Sequence, residues 1–129
     1  MLTWSEEFIL GDDAIDHDHR EAVEMMNRIE TADDGGVPAL FAALVEHMHE
    51  HFARENALML ETHFPAHACH AGEHERVLTL LDGIAAEVAA GRLASARDFA
   101  AAAGPAWFVD HRNTMDFVTV GWARARSAH

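Results

Sequence analysis

Apolar residues recur along the chain at intervals of three and four, the spacing that gathers them on one face of an α-helix. From His17 to about Ala32 the stripe is Ala22, Met25, Met26 and Ile29, and Asp33-Asp34-Gly35-Gly36 ends it. A second stripe opens near Pro38, which suits a first helical turn, and runs through Leu40, Leu44, Met48, Phe52 and Leu58 to about Thr62. After Phe64-Pro65 a third passes Val77, Leu80, Leu81, Ile84 and Val88 and stops at Gly91-Arg92. The fourth opens on Ser95-Ala96-Arg97-Asp98, a capping-box pattern with Asp in place of Glu, and carries Phe99, Trp107, Phe108, Met115, Phe117 and Val118. Gly104-Pro105 lies inside this last run and predicts a kink or a break. An interior proline loses one backbone hydrogen bond and clashes with the carbonyl four residues back, at roughly 3 kcal/mol. No segment alternates with period two, and β-branched residues are sparse. The pattern therefore predicts an all-α fold, an up-down-up-down four-helix bundle with an N-terminal arm, and one domain over residues 1–129.

Composition narrows the class. Half of the residues are hydrophobic, yet no uncharged apolar run approaches the roughly 18 residues of a membrane span, so the chain reads as soluble and not membrane-inserted. No basic segment precedes an apolar one at the N-terminus, and the single cysteine, Cys69, permits no internal disulfide, so the expected location is cytoplasmic. Nine Lys and Arg against 22 Asp and Glu leave a formal charge of −13, which repels phosphate backbones; nucleic acid is not an expected partner. A protein partner stays open. The 11 histidines far exceed ordinary usage and turn attention to metal binding, since imidazole is the commonest metal ligand.

Their spacing sharpens that reading. His51 and Glu55 stand four apart on the second helix, and His70 and His74 on the third, so each pair can reach one inward point. A single such pair fits surface decoration equally well; two on successive helices are more specific. On the fourth helix His111 and Asp116 are five apart, about 140° round an ideal helix, and spacing alone does not select Asp116.

In order and spacing the chain resembles the bacterial hemerythrins from residue 4 to about 118. The resemblance is carried by Trp4, Gly11, Ile15-Asp16, His19, His51-Phe52-x-x-Glu55-x-x-Leu58-Met59, Pro65, His70-x-x-x-His74 and Trp107-x-x-x-His111-x-x-x-x-Asp116. It implies two iron ions per chain, one bound by His70, His74 and His111 and the other by His19 and His51. Glu55, Asp116 and a hydroxide or oxo group would bridge them, leaving one coordination position open on the two-histidine iron for dioxygen. The implied function is reversible dioxygen binding by a carrier, store or delivery protein that is not an enzyme. The alternatives are an oxygen or redox sensor acting through a partner, a di-iron oxidase or peroxide scavenger, and a structural bundle whose histidines take zinc or nothing. Ferritin-like di-iron bundles use paired Glu-x-x-His motifs, which this chain does not show.

Three positions depart from the family pattern. Phe108 replaces a usual leucine and is expected to shrink the oxygen cavity; Arg112 replaces a usual aliphatic residue and is expected to reach solvent. Pro105 interrupts a helix expected to be continuous, although a widened turn there or near His111 would bring Asp116 round. Of the remaining histidines, His17, His47, His49, His63, His67 and His129, most are expected to be solvated. His47 sits one turn before His51, but the family pattern places no ligand there. Asp16 is expected to cap the first helix, Trp4 to fix the arm and Trp107 the fourth helix.

Overall fold

The computed structural model describes residues 2–127, and among them no strand occurs. Three long helices, α1 (Asp13–Thr31), α2 (Val37–Glu61) and α3 (His67–Ala89), are followed by a fourth helical run, α4, over residues 94–127. α2 packs against both α1 and α3, and α4 closes the bundle against α1 and α3. Ile29, Val37, Phe41, Leu44, Phe52, Val77 and Leu81 are almost wholly buried at its centre. The short connections turn each helix back along its neighbour, as an up-down bundle requires.

Local chemistry sets the helix ends. α1 begins at Asp13, four residues before the expected start at His17, because Asp12 Oδ1 accepts from the backbone N–H of Ile15 at 3.1 Å. Asp16 is therefore not the cap; it reaches back to accept from the N–H groups of Leu10 (2.8 Å) and Gly11 (3.0 Å) and so shapes the turn out of the arm. Gly11 adopts φ +95°, and the Arg124 guanidinium lies where a β-carbon would sit. Pro38 stands in the first turn of α2, and α3 stops before Gly91 at φ +84°, both as read from the sequence. The capping box does not form: α4 starts at Ala94 with no side-chain cap. Arg97 instead leaves that turn to donate to the Ile29 carbonyl (3.3 Å) and Asp34 Oδ1 (2.7 Å).

α4 is not a uniform helix. Its α-helical segments Ala94–Asp98, Gly104–His111 and Phe117–Ser127 are separated by two π turns, Phe99–Ala103 and Arg112–Asp116. The first absorbs Pro105 without breaking the helix, since the wider i→i+5 turn relieves the crowding between the proline ring and the preceding carbonyls. Gly104 closes that turn, and a β-carbon on it would lie 2.6 Å from Met26 Sδ and 2.8 Å from the Phe99 carbonyl oxygen. The second turn holds one residue more than an α-turn and so shifts the inward register beyond it. Asp116, Thr119, Val120 and Ala123 face inward, while Phe117 and Val118, read as core from their spacing, are 59% and 51% exposed. Leu80 is also turned outward, because Val77, Leu81, Ile84 and Val88 already fill the inner face of α3.

Candidate metal centre

All four helices deliver polar side chains to one buried point. His19 comes from α1, His51 and Glu55 from α2, His70 and His74 from α3, and His111 and Asp116 from α4, and every one is buried. His70 Nε2 and His111 Nε2 lie 3.0 Å apart and each is 3.1 Å from Asp116 Oδ1. The other oxygen of Asp116 is 3.0 Å from His19 Nε2. Glu55 Oε1 is 3.2 Å from the Nε2 atoms of both His51 and His74. Two overlapping groups result: a five-donor group of Glu55, His70, His74, His111 and Asp116, and a four-donor group of His19, His51, Glu55 and Asp116. Within each, the donor atoms lie within 4.8 Å of one another and could hold a metal ion. The structure thus brings together all seven residues singled out in the sequence. Asp116 joins them because the π turn carries it round to the face of His111.

Protons alone do not satisfy this cluster. Both ring nitrogens of His19, His74 Nε2, both Glu55 oxygens and Asp116 Oδ1 are buried without a hydrogen bond. Burial and the nearby Asp116 push the Glu55 carboxyl up, but His51 and His74 outweigh them and hold it below its usual range. Burial likewise raises Asp116, and the His111, His19 and His70 rings against it bring it well below. Burial pushes His51 down, yet the nearby Glu55 carboxylate and the hydrogen bond to Asp18 lift it to about 10. His74 is lowered, chiefly by burial. Two buried carboxylates thus draw positive charge into the centre, and a cation can supply it in place of protons. Nitrogen and carboxylate donors suit iron, so these residues fit a non-heme iron centre.

Behind the rings stand partners that the sequence did not single out. His51 Nδ1 donates to Asp18 Oδ2 at 3.0 Å, His70 Nδ1 faces Thr119 Oγ1 at 2.8 Å, and His74 Nδ1 donates to Asn56 Oδ1 at 2.9 Å. Each contact turns Nε2 inward, the usual outer bond of a metal-binding histidine. Asp18 is gripped in turn by Arg54. Burial raises the Asp18 carboxyl, but the hydrogen bonds from His51 and Arg54 hold it below the ordinary range. Trp107 lies parallel to His111 with ring centres 4.5 Å apart, and its Nε1 donates to Glu73 at 2.9 Å. Phe52 stacks on His74 at 4.0 Å.

His47 is buried but lies outside both groups, as the family pattern implies: its Nε2 donates to the Asp18 main-chain oxygen at 2.9 Å. Its Nδ1 lies 3.6 Å from the Glu21 carboxylate of α1. His17, His49 and His63 are exposed, His67 is half-buried, and His129 lies outside the described residues. Phe108 packs edge-on against His19 (5.2 Å) and against Phe8 of the arm (5.5 Å), and Trp4 packs on Phe8. With Trp107 it also borders an apolar cavity of about 20 Å³ beneath the centre. Arg112 is half-buried, and its guanidinium is tied down at the surface instead of extending freely into solvent. The arm folds back over α4 and presents carbonyls to it, and Arg112 donates to those of Glu7 (2.8 Å), Phe8 (3.2 Å) and Ile9 (3.3 Å).

A helical bundle that buries five imidazoles and two carboxylates round one point defines a metal-binding protein class. The Hemerythrin HHE cation binding domain matches residues 10–123, and the chain belongs to the hemerythrin family. A bacteriohemerythrin of Ralstonia nicotianae is 32% identical over 126 residues, covering 98% of this chain and 91% of that protein. One of Stenotrophomonas maltophilia is 33% identical over 79 residues, covering 58% of this chain and 52% of its own. Among the described residues no helix is long and apolar enough to cross a membrane.

Proposed function

We propose that this chain binds dioxygen reversibly at a pair of non-heme irons, and that it is a carrier, store or delivery protein and not an enzyme. On this reading His70, His74 and His111 would hold one iron, His19 and His51 the other, and Glu55 and Asp116 would be shared between them. The observation that supports this most is the sharing of both carboxylates: Asp116 turns one oxygen to His70 and His111 and the other to His19, while Glu55 lies between His51 and His74. The irons supply the electrons and the coordination position that oxygen binding requires. The protein's own groups do the rest. Asp18, Thr119 and Asn56 fix three imidazoles with Nε2 inward, and Phe8, Phe108 and Trp107 wall the centre with apolar rings that exclude water. A cytoplasmic location suits the single exposed thiol, Cys69.

The test is an absorption spectrum of the reduced, iron-loaded protein, recorded under argon, after air, and after argon again, together with its iron content. Two irons per chain and a band that appears with oxygen and vanishes on its removal are expected. One metal per chain, or zinc retained from iron-replete cells, would sink the two-iron reading; oxygen consumed with turnover would make the protein an oxidase. A narrower prediction concerns the wall. Phe108→Leu is expected to leave iron content unchanged and to speed azide binding to the oxidised centre severalfold, because the smaller side chain loosens the contact with His19 and Phe8. Stopped-flow rates equal in the two proteins would show that Phe108 does not line the path.

A further inference from the structure

The two donor groups differ in what stands behind them. Behind the five-donor group are neutral partners, the Thr119 hydroxyl at His70 and the Asn56 amide oxygen at His74. Behind the four-donor group is a charge, the buried Asp18 carboxylate, whose Oδ2 accepts from His51 Nδ1 at 3.0 Å. The Arg54 guanidinium closes over it from outside, Nε on Oδ2 and Nη2 on Oδ1, both at 2.8 Å. The Arg54 side chain is itself 47% exposed, so the pair runs from the protein surface to the ring of a candidate ligand. His47 adds a third hold, on the Asp18 main-chain oxygen. Three side chains on successive turns of α2 therefore grip one residue of α1, the residue directly before His19, whose own Nδ1 has no hydrogen bond.

An imidazole that donates to a carboxylate is a more basic ligand, and is more firmly oriented, than one that meets a neutral oxygen. We propose that Asp18 and Arg54 act as positioning residues for the four-donor end of the centre: Asp18 fixes His51 with Nε2 inward and strengthens it as a donor, and the bidentate Arg54 fork keeps Asp18 on His51. The two ends of the centre are thereby unequal beyond their number of donors. The four-donor end, which has fewer protein donors, is compensated by an outer charge, and that charge favours the more highly charged state of a metal held there. Arg54 acts only through Asp18. The inference rests on the two-metal reading above.

The experiment titrates Co(II), under argon, into the full chain freed of metal, and follows its visible absorption in the wild type, Asp18→Asn, Arg54→Gln and the double variant. Midpoint potentials of the iron-loaded proteins and melting temperatures of the metal-free ones are measured alongside. The wild type is expected to bind two ions; a wild type that does not would refute the two-metal reading itself, whatever the variants do. Asp18→Asn should keep one tight ion and weaken the other by 10- to 100-fold, roughly the usual cost of losing an outer partner. Its midpoint potential should rise, by about 59 mV if the oxidised form loses tenfold in relative stability in a one-electron step. Arg54→Gln should weaken the same ion less, and in the Asp18→Asn background should change nothing more. If the wild type binds two ions and Asp18→Asn binds both as tightly at an unchanged potential, the proposal is overturned. It is overturned equally if Asp18→Asn only lowers the melting temperature of the metal-free protein, for the pair would then be a clasp between helices. Should Asp18→Asn fail to fold, Arg54→Gln, altered at a half-exposed position, decides alone: unchanged affinity and potential would overturn the proposal.

Discussion

His51→Ala is expected to lose at least one iron per chain, while His47→Ala keeps both. The two residues have the same side chain, stand one turn apart on α2 and are both buried, with rings parallel and centres 6.4 Å apart. Only His51 turns a nitrogen to the carboxylates: its Nε2 is 3.2 Å from Glu55, and His47 belongs to neither donor group. Truncating His51 leaves the four-donor group with one imidazole and strands the buried Glu55 carboxylate beside the gap, while Asp18 keeps only its Arg54 fork. Breaking such pairings costs on the order of 3–5 kcal/mol, and the melting temperature should fall with the iron content. His47→Ala has a cost of its own, because it leaves the buried Asp18 carbonyl without its 2.9 Å partner; a loss of about 1–3 kcal/mol is expected, but not of metal. Iron per chain and melting temperature, measured side by side, separate the two. Iron lost from His47→Ala and kept by His51→Ala would put the α2 register wrong by a turn and remove Glu55 as a bridge.

Stripping the metal should destabilise the chain more than most single substitutions do. A ligand present at a thousand times its dissociation constant adds about 4 kcal/mol to folding, and two ions add more. For a domain of this size each kcal/mol moves the melting temperature by a few degrees, so a fall of more than about 10 °C is expected after chelation and full recovery on adding ferrous iron without air. The physical source is the same cluster of buried nitrogens and oxygens without hydrogen bonds that marks the centre. Identical melting curves for the loaded and stripped proteins would show that the bundle satisfies these groups without a cation.

Much of this was legible in the chain, and the failures are specific. The stripes of α1 to α3 were readable because Ala22, Met26, Ile29, Leu44, Phe52, Val77 and Leu81 follow the helical period and lie inside. Pairs four apart on α2 and α3 exposed four of the candidate ligands; His19, His111 and Asp116 needed the family resemblance. Phe117 and Val118 were misread because nothing in local propensity announces the π turn before them, and a register counted straight through it is off by a residue. Asp18, Asn56 and Thr119 were invisible for a different reason. Polar residues beside a ligand have the same spacing as solvated ones, and only the fold decides which of them meets a ring. The direction of Arg112 likewise depends on where the arm lies, a long-range outcome that no window of sequence contains.

The π turn at Arg112–Asp116 also bears on how such centres can vary in length. A π turn is an α-turn with one residue added, so its removal leaves the inward face on either side in place. A chain with one residue fewer between the positions of His111 and Asp116 would set them four apart on a regular helix, on one face and able to reach the same point. The donor set is thus compatible with a widened or an unwidened turn in α4, whereas α2 and α3 are regular throughout and hold their pairs without such a turn. A pattern that fixes the last gap at the length found here would pass over chains with an equivalent centre on an unwidened helix.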